Sequence, residues 1–129
     1  MKIKIYYKHT DLGGIVYHSN YIDFCEMARS ELFFEKGLSP VIGGCHFAVK
    51  SIKCDFLAPA TLGDELEVKT EVKKIKSASV ELYHEILKSD KLIFKAEVIL
   101  VFLCKDMKIT KIDRDTKEFF KNLQCTGNY

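Results

Sequence analysis

The chain has no tryptophan and only two prolines among its 129 residues. It also lacks any real excess of charge: 20 basic residues stand against 18 acidic ones, for a net charge of +2. Both signs are interspersed, so no basic footprint marks a nucleic-acid partner. No apolar run reaches the ~18 residues that a membrane-spanning helix needs. The first residues, MKIKIYYKHT, alternate instead of forming the apolar block of a signal peptide. Repeats, low-complexity tracts and linkers are absent as well, and the length suits one domain over residues 1–129. The five cysteines (Cys25, Cys45, Cys54, Cys104, Cys125) are odd in number, and none has the C-x-x-C spacing of a zinc or redox site. They are expected to be reduced and mostly buried, which points to the cytoplasm.

What is present is periodicity. KIKIYYK (residues 2–8) alternates as a half-buried strand, with Ile3, Ile5 and Tyr7 on the inward face. From Asn20 to Lys36 the spacing turns helical: Tyr21, Phe24, Cys25, Ala28 and Leu32 share one stripe. Ser19 or Asn20 suits the N-cap and Gly37 the position after the C-terminus. Phe33 and Phe34 make the end of this helix apolar on more than one side, so it should be wrapped by something. Strands are expected over residues 45–57, 65–74, 79–88 and 91–104, the last two joined by a turn at Ser89-Asp90-Lys91. The last strand is apolar on both faces from Val98 to Leu103, which suits a central strand or a subunit contact. A short piece, MKITKID, leads to a C-terminal helix near Thr116 to Leu123. The order is strand, long helix, then four or five antiparallel strands, an α+β domain whose sheet curves round its helix.

The stretch with chemical content is TDLGGIVYHSNY (residues 10–21). Asp followed by Leu-Gly-Gly is good turn chemistry and needs no function to explain it. Here, however, the glycines lead straight into a helix N-terminus, where backbone N–H groups and the helix dipole favour developing negative charge. A carboxylate held beside them, Asp11, can serve as general base or nucleophile. Tyr7 and His18 add hydrogen-bonding groups on either side. That combination is what acyl-transfer hydrolysis needs. No G-x-S-x-G elbow competes for the role. Composition allows a metal at His9, Asp11 and His18, but no fourth ligand accompanies them.

On these residues, YYKHTDLGGIVYHSNYIDFCEMARSELF resembles the signature of hotdog-fold acyl-CoA thioesterases of the 4-hydroxybenzoyl-CoA thioesterase group. The variant GGIVYHSNY is similar to the Tol–Pal-associated, YbgC-like subfamily, and DFLAPATLGDELEV (55–68) resembles a second family segment. The resemblance implies a helix wrapped by an antiparallel sheet and hydrolysis of acyl-CoA thioesters without cofactor or metal. It assigns Asp11 as the catalytic carboxylate. Backbone N–H groups around Tyr17 and His18 would polarise the thioester carbonyl, with Gly14 in the same loop. Tyr7 and His18 would line the site. It implies homo-oligomers, dimers or dimers of dimers, with sites at the subunit seam. Lysines from strand ends, Lys50, Lys53, Lys74 or Lys76, are candidates for the CoA phosphates. An acyl carrier protein is a further candidate partner. The Asp/His arrangement of the related hydratases and dehydratases is not found. A non-catalytic acyl-CoA or acyl-carrier-protein binding protein of the same fold is the alternative.

Overall fold

A computed structural model describes residues 1–126. The strand β3 (Glu65–Ile75) shows most directly how sequence pattern becomes architecture. Its even-numbered residues Leu66, Val68, Thr70 and Val72 are buried, while the charged residues between them face outward. β4 (Ser79–Lys88) pairs antiparallel with it and buries Val80, Leu82, His84 and Ile86 on the same side. The turn to β5 (Lys91–Leu103) places Ser89 and Asp90 at φ 48° and 65°. Two consecutive left-handed residues make the tight hairpin that matches strand twist. With β1 (Lys2–Lys4) and β2 (His46–Phe56), the sheet has five strands in the order β1-β3-β4-β5-β2. β5, apolar on both faces, lies inside the sheet between β4 and β2. The imperfect alternation of β2 is a bulge: the register shifts between Val49 and Ser51, leaving Lys50 as the extra residue.

The long helix α1 (His18–Phe34) lies across the inner face of this curved sheet. Tyr21, Phe24, Cys25, Ala28 and Leu32 are all buried there, as their spacing requires. Tyr21 stacks on Phe94 of β5 with ring centroids 5.3 Å apart. Burying a side chain the size of Phe24 contributes roughly 1.5–3 kcal/mol, and Phe24 is 2% exposed. The wrapping is uneven at the far end. Phe33 is covered by the C-terminal helix α2 (Arg114–Thr126), stacking on Phe119 at 4.4 Å, whereas Phe34 stays 54% exposed. Gly37 takes φ 71° just beyond the helix, and its N–H donates to the Phe34 carbonyl, the expected helix stop. The arrangement is the hotdog fold.

Three expectations change. The helix begins at His18, with Tyr17 as a cap that offers no side-chain bond, so neither Ser19 nor Asn20 is the N-cap. Asn20 instead sits inside the first turn, half-buried, with its side-chain amide donating to the His9 carbonyl. The strand β1 stops at Lys4 because its partner β3 begins at Glu65, the residue opposite. Beyond Ile5 the chain winds into a 3₁₀ turn over Tyr7–His9, which turns His9 inward and leaves Tyr7 82% exposed. Tyr7 is therefore not an inward-facing residue. The cysteines are not all reduced either: Cys45 and Cys104, at the start of β2 and just past the end of β5, form a disulfide with Cα atoms 4.1 Å apart. The β2–β5 register, His46 opposite Leu103, brings them together. The cytoplasmic expectation rested on reduced thiols together with the N-terminal pattern and the lack of a membrane-length apolar run, and it loses the first of these supports. Cys25 is free and buried, and Cys54 is free and half-buried. The side chain of Cys125 lies outside the described residues.

Candidate active site

The segment from His9 to Tyr17 folds back on itself. Thr10 and Val16 pair antiparallel, the Asp11 N–H donates to the Ile15 carbonyl at 2.9 Å, and the Tyr17 N–H donates to the His9 carbonyl at 2.8 Å. Between these rungs lies a tight turn in which the Gly14 N–H donates to the Asp11 carbonyl at 3.0 Å. Gly14 closes the turn at φ 81°, a conformation that a side chain disfavours. The Asp11 carboxylate accepts the Gly13 N–H at 2.8 Å and is otherwise open to solvent. The double glycine thus has two separate uses, one for backbone conformation and one for holding a carboxylate.

The same ladder fixes this turn to the start of α1. Val16 donates its N–H to the Ala60 carbonyl at 2.9 Å, and Ile15 pairs with Thr61, so the loop before β3 braces the turn from the other side. Tyr21 completes the brace, its hydroxyl oxygen accepting the Ala60 N–H at 3.2 Å. At the helix start the Asn20 N–H already donates to the Tyr17 carbonyl. The N–H groups of His18 and Ser19 have no acceptor among the described residues. They are the open donors that the first turn of any helix leaves. Tyr17 cannot be a third, because its own N–H is bonded to His9. The open N–H groups at the helix start are therefore those of His18 and Ser19, whereas the sequence expectation put them around Tyr17 and His18.

The side chains divide into those brought together and those kept apart. His18 is exposed at the helix start, 4.4 Å from the Tyr17 ring centroid and edge-on to Phe56 of β2 at 6.2 Å. Tyr17 and Phe56 are each about half exposed and flank it. Asp11, Gly14, Tyr17 and His18 thus belong to one locus. Tyr7 does not join it as an inward-facing group. Lys53 points to the outer face of the sheet, opposite Glu97 of β5, and Lys50 is the exposed bulge residue. Lys74 and Lys76 lie at the far end of β3, where Lys76 pairs with Glu81 at 3.6 Å. Among the described residues, none of these lysines forms an ion pair with Asp11.

Two residues matter more than their sequence signal suggests. The His9 carbonyl accepts both the Tyr17 N–H and, at 2.9 Å, the Asn20 side-chain amide. The His9 ring is buried edge-on against Phe24 at 5.2 Å, and its Nδ1 accepts the Tyr6 N–H at 2.9 Å. Burial, and then the neighbouring Lys8, lower the His9 pKa, in keeping with that acceptor role. His9 is thus a structural pin and is not directed toward Asp11 as a metal ligand. Asn20 stands within GGIVYHSNY and is an N-cap candidate by sequence, but only the fold reveals what it holds.

Similarity to known proteins accords with this geometry. A sequence profile of the thioesterase superfamily matches residues 13–94. An acyl-CoA thioesterase YbgC from Helicobacter pylori is 44% identical over 86 residues, 67% of this chain and 65% of that protein. The chain thus spans slightly under two thirds of the length of the Helicobacter relatives it matches. An acyl-CoA thioesterase YbgC from Haemophilus influenzae is 32% identical over 129 residues, covering 95% of this chain and 93% of that one. In structure, a 1,4-dihydroxy-2-naphthoyl-CoA thioesterase from Synechocystis superposes with a TM-score of 0.87 over 95% of each chain, at 22% identity. That last likeness is one of fold. The chain belongs to the thioesterase superfamily.

Proposed function

We propose that this chain is an acyl-CoA thioesterase that works at the turn between residue 10 and the start of α1. The observation that carries the reading is the pair of open N–H groups, His18 and Ser19, at the end of a 17-residue helix, locked by a hydrogen-bonded ladder to the turn presenting Asp11. The thioester carbonyl oxygen sits against those donors, whose partial positive charge the helix dipole supports. Asp11 takes a proton from water as the water oxygen attacks the carbonyl carbon. The tetrahedral oxyanion is held by the two N–H groups, then collapses and releases the CoA thiolate, which takes up a proton. In the nucleophilic variant an Asp11 oxygen attacks first, and water cleaves the resulting anhydride. His18, beside the reacting carbonyl, orients water or substrate. Neither variant calls for a cofactor.

Names of the relatives support acyl-CoA as the substrate class. Two copies joining along β2, the edge strand, would cover its open edge and bring Lys50 and Lys53 of one chain toward the site of the other. Those lysines would then meet the CoA phosphates.

The test is thiol release from a panel of short-chain, long-chain and aromatic acyl-CoAs, with wild type and Asp11→Asn side by side. Loss of a positioned base lowers rate by roughly 10²- to 10⁴-fold. Turnover by wild type, with that loss in the variant, is the expected result. Saturable binding of acyl-CoA with no thiol release by wild type would overturn the reading in favour of a binding protein. A single turnover in ¹⁸O-labelled water separates the two routes: the base route labels the product acid, whereas the nucleophile route labels the enzyme carboxylate.

A further inference from the structure

Arg29 lies on the inward side of α1 and is 9% exposed, yet none of the ion pairs among the described residues includes it. Its one recorded partner is His84 of β4, with Nη1 3.2 Å from Nε2. A guanidinium can only donate, so Nε2 accepts, and the proton of His84 sits on Nδ1, which donates to the Thr70 hydroxyl at 3.0 Å. His84 is fully buried, and burial followed by the Arg29 charge lowers its pKa to about 3. It is therefore neutral and gives the arginine no countercharge. Burial also lowers the Arg29 pKa, with Cys25 and Glu26 opposing, but a guanidinium keeps its proton in proteins.

The nitrogens that do not touch His84 have no other partner among the described residues. No buried side-chain nitrogen or oxygen among the described residues lacks a partner, so the nitrogens that do not touch His84 reach accessible volume. Arg29 is one of the residues that line a half-open cavity of about 240 Å³ between α1, β2, β4, β5 and α2. Leu32, Phe33, Phe47, Leu82, Leu100 and Phe120 line it with Arg29. Val41 and Val49, about half exposed or more, stand at its mouth. Glu26, one helical turn before Arg29, also borders it, but it is exposed and forms no ion pair with the arginine.

Ser30 and His46 are the other polar residues of the lining, and a mainly apolar pocket whose buried cation has no ion pair calls for an apolar ligand with one planar anionic end. We propose that this cavity binds a short- to medium-chain carboxylic acid, its carboxylate on the free edge of Arg29 and its alkyl chain among the leucines and phenylalanines. The carboxylate would meet the guanidinium fork-to-fork, the geometry in which such pairs are strongest. The volume lies below the roughly 300–1,000 Å³ of sites for drug-sized ligands, which favours a short chain. Nothing in this argument uses Asp11 or requires thioester hydrolysis.

The experiment is titration of the whole protein with octanoate and, separately, with octanol, followed by methyl chemical shifts and calorimetry. Octanoate is expected to bind roughly tenfold or more tightly than octanol, as a charge-assisted bond implies, and to shift the methyls of Val49, Leu82 and Leu100. Arg29→Met should bring octanoate down to the octanol affinity. Glu26→Gln, which removes the competing carboxylate at the mouth, should tighten octanoate and leave octanol unchanged. Val49→Trp, which blocks the mouth and leaves Arg29 intact, should abolish both, and it decides the matter if Arg29→Met does not fold. Equal affinity for octanoate and octanol, no binding of octanoate, or octanoate shifts confined to residues outside the cavity would each overturn the proposal.

Discussion

The adjacent glycines Gly13 and Gly14 should fail in opposite ways when each is replaced by alanine. At Gly14 a Cβ would meet nothing within 4 Å, so space is not the obstacle. The obstacle is φ 81°, near the left-handed region, where a side chain costs about 1–2 kcal/mol. Alanine also narrows the unfolded ensemble, which offsets roughly 0.4–1 kcal/mol. Gly14→Ala should therefore lose about 1 kcal/mol net, a fall in Tm of roughly 3–5 °C for a chain of this length. Its kcat/KM at a temperature where it is folded should stay close to wild type. Gly13 has no such φ, but a Cβ there would stand 3.2 Å from the Asp11 Oδ1. That contact is too tight to keep, and the exposed carboxylate is the part free to give way. Gly13→Ala should therefore melt near the wild-type temperature yet lose activity. A displacement of about 1 Å can lower rate by 10², and a few tenths of an ångström should give roughly a tenfold loss in kcat. Thermal melts and thioesterase kinetics on the two variants test the pair together. If Gly13→Ala keeps full activity while Gly14→Ala loses it with no loss of stability, the division of roles is wrong.

Four further outcomes follow from single contacts. Tyr21→Phe removes the acceptor of the buried Ala60 N–H and should lower the unfolding free energy by roughly 1–3 kcal/mol in urea; an unchanged midpoint would show that the bond contributes nothing. Asp64 is pushed up by burial but pulled down further by Lys88, at 2.8 Å, and by the Thr61 N–H and hydroxyl, so its net pKa is lowered. A depressed carboxylate adds stability above its unfolded pKa and loses it as pH falls through the folded one. Asp64→Asn should thus be destabilised at neutral pH and converge on wild type only as pH falls from the ordinary Asp value of about 3.9 through the lowered folded one; a gap that does not narrow over that fall would contradict this. Reducing Cys45–Cys104, which closes 59 residues of sequence separation, removes a constraint worth up to about 4 kcal/mol in the chain-entropy account. No change in Tm with reductant would mean that the link is not formed in solution. Asn20→Ala should loosen the His9 carbonyl, which keeps only the Tyr17 N–H; a loss of about 0.5–1.5 kcal/mol together with a fall in kcat is expected, and faster amide exchange at Tyr17 would locate the effect.

The sequence by itself determined most of the frame. Alternation in residues 65–74 and 79–88 and helical spacing from Tyr21 to Leu32 fixed which face of each element is buried, because both periods follow from local backbone geometry. The turn at Ser89-Asp90 and the helix stop at Gly37 were legible for the same reason: their φ values are set within a few residues. Asp11, the glycines and His18 could be singled out because turn chemistry and a helix start are local too. Tertiary structure decided what depends on residues distant in sequence. The alternation at the N-terminus ran on to Tyr7, but β1 can extend only as far as β3 offers a partner, and that ends at Glu65. The Tyr17 N–H is not open at the helix start because the carbonyl of His9, across the turn, accepts it. Cys45 and Cys104 are 59 residues apart, and only the β2–β5 register makes them neighbours. The unneutralised Arg29 has the same origin. Nothing near it in sequence shows that the strands beneath would meet it with a neutral histidine instead of a carboxylate.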